Sequence, residues 1–221
     1  MARTALVTGA NRGIGFALCR HLKQTGRDVI GVCRQSSPEL DVLGVRVESG
    51  VDVTSDEAVA GLARRLAGAA LDEIVCNAGI LREHGLDDVA FDDIREQLEV
   101  NAIAPLRLVA ALRRSLRRGG KIALITSRMG SIGDNGSGGY YGYRMSKAAL
   151  NAAGMSLSRD LAPAGVAVAI LHPGWVRTDM TDHTGNIDPA DAAKQLVDRL
   201  DALTLETTGT FWHANGQVLP W

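Results

Sequence analysis

The sequence predicts an α/β fold: a doubly wound parallel sheet of about seven strands with helices on both faces. Three observations carry this. Short apolar or β-branched runs alternate with helical patterns along the whole chain. A glycine-rich turn, "TGANRGIG", joins the first such run to the first helical pattern. Right-handed crossovers then make winding to both sides of one sheet the economical topology.

The strand candidates are residues 4–8, 28–33, 44–47, 73–76, 121–126, 166–171 and 209–212, and the helix candidates lie near 13–24, 55–69, 91–117, 144–161 and 188–203. Thr54 with Glu57 forms a capping-box pattern at the second helix. Pro105 inside the third predicts a kink or break. The length, residues 1–221, suits one domain with a short C-terminal substrate segment.

Composition excludes several classes. Hydrophobic residues at 46% and charged residues at 22% describe an ordinary globular protein, and a net charge of −1 offers nothing to nucleic acid or an anionic membrane. Arg113, Arg114, Arg117 and Arg118 read as the solvated face of a helix. No signal-peptide pattern or bilayer-length apolar run occurs, and Cys19, Cys33 and Cys76 read as buried reduced thiols, so a cytoplasmic location is expected. The five histidines lack metal-ligand spacing, and no metal is expected.

In Thr8–Gly15 the glycines permit a tight turn and close approach of backbone to a ligand, while free amides at the helix start face a pyrophosphate. A glycine-rich turn without a ligand is the plain alternative. After the second strand, the acid that usually meets a free ribose 2′-hydroxyl is replaced by Cys33. Arg34 follows, and Arg12 lies in the turn, so a 2′-phosphate is expected and NADP(H) is preferred to NAD(H). Both arginines simply facing water is the other reading.

These motifs continue in a fixed order: TGANRGIG, Asp52–Val53, NAG at 77–79, Asn101 in "EVNAIAPL", Ser127 in "LITSRMGS", YRMSK at 143–147 and "HPGWVRTDM". In this the chain resembles the short-chain dehydrogenase/reductase family throughout its length. The closing "FWHANGQVLPW", the "GGYYGYRMSK" context and the short length resemble its C-factor and Sniffer-like carbonyl reductase branch. The resemblance implies a Rossmann fold and a set of cofactor contacts. These are Gly9, Asn11, Arg12, Gly13, Ile14 and Gly15 in the turn, Arg34 beyond the second strand, and Asp52 and Val53 beside the adenine. Asn77, Ala78 and Gly79 would lie along the ribose and pyrophosphate, with Pro173, Gly174, Val176 and Thr178 at the nicotinamide end. Tyr143 and Lys147 complete the set, the lysine bonding the nicotinamide ribose.

All three tyrosines, Tyr140, Tyr141 and Tyr143, fall within four positions, and only Tyr143 has a lysine four residues on, Lys147. That spacing puts phenol and ammonium on one helical face. The nearby ammonium, together with the positive oxidised nicotinamide, is expected to lower the phenol's pKa and make Tyr143 a general acid/base. Ser127 would bond the substrate oxygen. It precedes Tyr143 by sixteen residues instead of the family's thirteen, which implies a three-residue insertion, and Ser131 is the competing serine. Asn101 would hold a water linking Lys147 to solvent; a polar helix residue bonding its own backbone is the alternative.

Tyr140 and Tyr141 are expected to shape the pocket mouth. Met129, Tyr141, Trp175 and Met180, with Leu81 and Ile132, are expected to wall the substrate, although Trp175 also suits the core. This flexible apolar lining suits small or aromatic aldehydes and ketones. The expected function is an NADPH-dependent carbonyl reductase that also runs as an alcohol dehydrogenase. A dinucleotide-binding regulatory protein of C-factor type is the alternative, and an extended-type epimerase is excluded because only some forty residues follow Thr178. A homodimer is preferred to a monomer, with the small-residue face of helix 144–161 either pairing or lying on its own sheet.

Overall fold

The computed structural model describes residues 2–221. Seven strands form one parallel sheet: β1 (Thr4–Thr8), β2 (Asp28–Val32), β3 (Arg46–Glu48), β4 (Leu71–Cys76), β5 (Leu116–Ile125), β6 (Ala167–His172) and β7 (Phe211–His213). Their order is β3-β2-β1-β4-β5-β6-β7, the doubly wound arrangement expected of a Rossmann fold.

Helices α1 (Gly13–Gln24) and α7 (Pro189–Ala202) cover one face; α3 (Asp56–Arg65), α5 (Ala104–Leu112) and α6 (Tyr141–Leu161) cover the other. The period-two alternation of the strands divides the core accordingly. Ala5, Val7, Ala123 and Ala169 meet Leu18, Leu22, Leu196 and Leu200 on one side. Leu6, Ile74, Ile122 and Val168 meet Leu62, Leu108, Leu112 and Leu150 on the other. Burying each such leucine fully is worth about 1.5–3 kcal/mol relative to exposure. Cys19, Cys33 and Cys76 are free and buried in these cores.

Several boundaries differ from the sequence reading. Ser55, not Thr54, caps α3: its side chain accepts from the Ala58 amide at 3.2 Å, while the Thr54 hydroxyl donates to Asp52 at 2.7 Å. The expected capping box is therefore replaced by a single cap shifted one residue. A short helix, α2 (Pro38–Val42), capped by Ser37, has too little apolar periodicity to be seen in advance. The long pattern at 91–117 is not one helix. It divides into α4 (Phe91–Leu98), a π turn (Glu99–Ile103), α5 and a 3₁₀ turn (Arg113–Ser115). Pro105 falls at the start of α5, where its missing amide costs least. Arg117 and Arg118 consequently lie on β5, although they and Arg113 and Arg114 are all exposed as expected.

Helix α6 runs on its own sheet. A Cβ at Gly154 would lie 2.8 Å from Ile170 and 2.9 Å from Leu124, so glycine permits this contact and the Gly154 side is not free for a partner. Among the described residues, no helix is long and apolar enough to cross a membrane.

Candidate functional site

The sequence motifs meet along the carboxyl ends of β1, β4, β5 and β6. Thr8 closes β1, and its hydroxyl accepts from the backbone amides of Asn77 at 3.0 Å and Ala78 at 3.1 Å. The Asn77 amide group returns a bond to the Thr8 carbonyl at 3.0 Å. The glycine turn and the NAG segment are thereby one unit. Gly15 must be glycine, because a Cβ there would sit 2.0 Å from the Gly9 carbonyl oxygen. Helix α1 begins at Gly13 with no side-chain cap and no acid in its first turn. Its first amides and positive dipole end suit a phosphate, so the residues present fit a dinucleotide.

The two arginines assigned to a 2′-phosphate are not gathered on one partner. Arg12 is exposed and pairs with Asp179 at 3.2 Å. Arg34 is exposed beyond β2, where its charge acts on Asp52. Asp52 accepts from the Thr54 amide and hydroxyl, which hold its carboxyl below the usual range. Cys33, at the usual acid position, is buried.

Asn101 lies in the π turn and is fully buried. Its Nδ2 donates to the Ile80 carbonyl at 2.9 Å and to Ser146 Oγ at 3.0 Å, and its Oδ1 accepts from the Ile80 amide at 2.8 Å. The side chain thus anchors the backbone after the NAG segment instead of bonding its own helix. Both its donors are used, which leaves acceptor capacity alone for a water. A π turn widens the helix and re-aims the residue it carries. Ile80 and Ser146 went unrecognised in the sequence, where nothing links them to Asn101.

Ser127 follows β5, is buried, and accepts from the Met129 amide at 3.2 Å. Its side chain lies near enough to Tyr143 to favour the ionised phenol. Ser131 is turned elsewhere, donating to the Trp221 carbonyl at 3.1 Å. Lys147 Nζ lies 5.6 Å from the centre of the Tyr143 ring and donates to the Ile125 carbonyl at 3.0 Å.

The electrostatics differ from expectation. Burial pushes the Tyr143 phenol up to about 12, with Ser127 pulling in the opposite direction. Burial also pushes Lys147 down to about 8. Desolvation therefore governs both groups, and the lysine brings the phenol none of the acidification expected of it.

Of the other two tyrosines, Tyr141 is exposed, whereas Tyr140 lies near Glu83, whose charge adds to burial in raising its phenol, and takes a left-handed backbone (φ 52°) before α6. Trp175 and Met180 are exposed, so Trp175 does not belong to the core, and Met129 is half-buried beside Ser127. Pro173, Gly174, Val176 and Thr178 follow β6, and Thr178 faces the turn at Gly13. His172, at the end of β6, packs edge-on against His213 at 5.0 Å, and burial pushes it down to about 3.

The sequence model of the short chain dehydrogenase family matches residues 3–188. A curated relative, 1-hydroxy-2-glutathionyl-2-methyl-3-butene dehydrogenase of Rhodococcus sp. (strain AD45), is 45% identical over 224 residues, covering 99% of each chain. The carbonyl reductase Sniffer of D. melanogaster superposes with a TM-score of 0.95 at 29% identity, covering both chains fully. A short-chain dehydrogenase/reductase from Burkholderia multivorans with bound NADP superposes at 0.92 and 31% identity, again over both whole chains.

Proposed function

The chain belongs to the short-chain dehydrogenase family, and on that premise we propose that it is an NADPH-dependent carbonyl reductase. It transfers hydride between NADPH and a small or aromatic aldehyde or ketone, and works in reverse on the alcohol. The observation that carries this reading is the cluster of Ser127, Tyr143 and Lys147 at the open end of the sheet beside the uncapped start of α1.

The cofactor, when bound, supplies the hydride. Gly9, Asn11, Gly13, Ile14 and Gly15 would hold its pyrophosphate end, Asp52 and Val53 its adenine, and Arg34 with Arg12 the 2′-phosphate. Asn77, Ala78 and Gly79, with Pro173, Gly174, Val176, Thr178 and Lys147, line the rest. NADP bound to the Burkholderia protein supports the choice of cofactor.

Ser127 orients the substrate oxygen through its hydroxyl. Tyr143, kept protonated at neutral pH by burial, donates its phenolic proton as that oxygen gains negative charge. Lys147, still largely cationic at neutral pH, stabilises the resulting phenolate and returns a proton to it. Asn101 steadies the wall behind Lys147 and offers its remaining acceptor to a relaying water. In alcohol oxidation the same groups run backwards, with Tyr143 as base.

Met129, Tyr141, Trp175 and Met180 form the substrate walls. The Rhodococcus relative's name adds alcohols carrying a glutathionyl group to the candidates. The site's chemistry and the buried free thiols suit a cytoplasmic enzyme.

The test follows NADPH absorbance with a panel of aldehydes, ketones and glutathionyl alcohols. Turnover with at least one carbonyl is expected. NADPH binding without turnover of any substrate overturns the enzymatic reading in favour of a regulatory dinucleotide-binding protein.

A further inference from the structure

We propose that Trp221 is a positioning residue for the substrate wall at 127–133, acting through Ser131. The inference rests on the reading of Ser127 and Met129 as substrate-facing.

The chain leaving Ser127 must cross from β5 to α6 through a segment that carries the insertion and is mostly exposed. Such a segment has little apolar burial to hold it. It is instead tied at both ends. Near α6, Arg144 donates to Ser137 Oγ at 2.8 Å and to the Gly139 carbonyl at 3.2 Å. At the other end, a single oxygen does the work. The Trp221 carbonyl accepts from Ser131 Oγ at 3.1 Å and from the Gly133 amide at 2.7 Å. Ser131 is 2% exposed, and its Oγ also accepts from the Asp134 amide at 3.1 Å. Arg128 and Asp134 pair across the same turn.

Trp221 is itself fixed from below. Its indole stacks on Phe211 at 5.4 Å, and Phe211 is a fully buried residue of β7. The Leu219 amide donates to the Phe211 carbonyl at 2.8 Å, tying the segment to that strand. The position of the turn is thus transmitted from the sheet through β7, Trp221 and Ser131 to Met129 and Ser127, four residues upstream. Because Trp221 is 47% exposed, it contributes little to the core, and its loss should act locally.

The experiment compares Ser131→Ala, Trp221→Ala and Trp221→Phe with the native protein. It measures ketone KM and kcat, NADPH affinity, melting temperature and amide exchange at Gly133 and Asp134. Losing one such hydrogen bond or its support should raise ketone KM about two- to tenfold. NADPH affinity and melting temperature should hardly change, and exchange at Gly133 and Asp134 should quicken. Trp221→Phe, which keeps an aromatic stack, should restore the native KM. An unchanged KM in Ser131→Ala and Trp221→Ala overturns the proposal, as does a loss spread equally into NADPH affinity and melting temperature. If the native protein reduces no carbonyl, the functional reading fails separately and exchange decides the clasp. Faster exchange at Gly133 in Trp221→Ala sustains it, and unchanged exchange removes it.

Discussion

Lys147 Nζ lies 5.6 Å from the ring centre of Tyr143, one helical turn away on α6, yet its hydrogen bond goes to the Ile125 carbonyl. Burial shifts both groups in the direction of their neutral forms. Replacing Tyr143 by Phe removes the phenol beside Ser127 and leaves the packing. Carbonyl reduction should fall by about 10²–10⁴-fold with NADPH affinity retained, as measured by single-turnover kinetics and fluorescence titration.

The pH profile follows from the same pair. With the phenol raised to about 12, proton donation by Tyr143 is not limiting near neutrality. Lys147 loses its charge around pH 8, and with it the support for the phenolate. Reduction kcat/KM is expected to decline as pH rises through about 8, and a profile flat to pH 10 would contradict this.

Burying Lys147 also costs stability. Its value is 10.5 when free and about 8 in the folded chain. Between those limits the unfolded state binds more protons, so stability rises with pH from about 8 to about 10.5 and the penalty is fully present below 8. Lys147→Met should abolish catalysis yet stabilise the fold at pH 7 by on the order of 1–3 kcal/mol. It should also flatten the dependence above pH 8, as read by urea denaturation.

Cofactor choice turns on Arg34. Replacing it with Asp places a negative charge where a 2′-phosphate would lie, and loss of one charge-assisted bond corresponds to about 10- to 100-fold. NADPH affinity should fall by that factor while NADH affinity changes little. Equal effects on both would show that Arg34 does not touch the phosphate.

At the amino ends of the strands, Arg27 Nε donates to Glu73 at 2.8 Å with both side chains nearly fully buried. Arg27 also bonds Asp201, and Arg3 bonds both acids. Glu73→Ala leaves a buried guanidinium with one partner fewer and should cost about 3–5 kcal/mol. Activity per folded molecule should remain, and calorimetry with an active-site titration separates the two.

Much of the fold was legible because its signals are local. The glycine turn, the alternating strand pattern and the Tyr143–Lys147 spacing each sit within a few residues. What escaped depends on distant partners. Nothing near Asn101 announces that Ile80 and Ser146 occupy its amide, and nothing near Ser131 announces Trp221. The phenol was misjudged for a related reason: sequence reveals which charge is nearby but not how much water burial removes. Pro105 predicted a break, yet only the three-dimensional structure shows it resolved as a π turn that carries Asn101.

The Arg27–Glu73 lattice and the Ser127–Tyr143 cluster sit at opposite ends of the strands of one sheet. Thermal robustness and chemical selectivity are thereby anchored in separate places, and substitutions at the two strand ends should combine additively. A breeder of new specificities can reinforce the far side while remodelling the loop rim around the Ser131–Trp221 clasp.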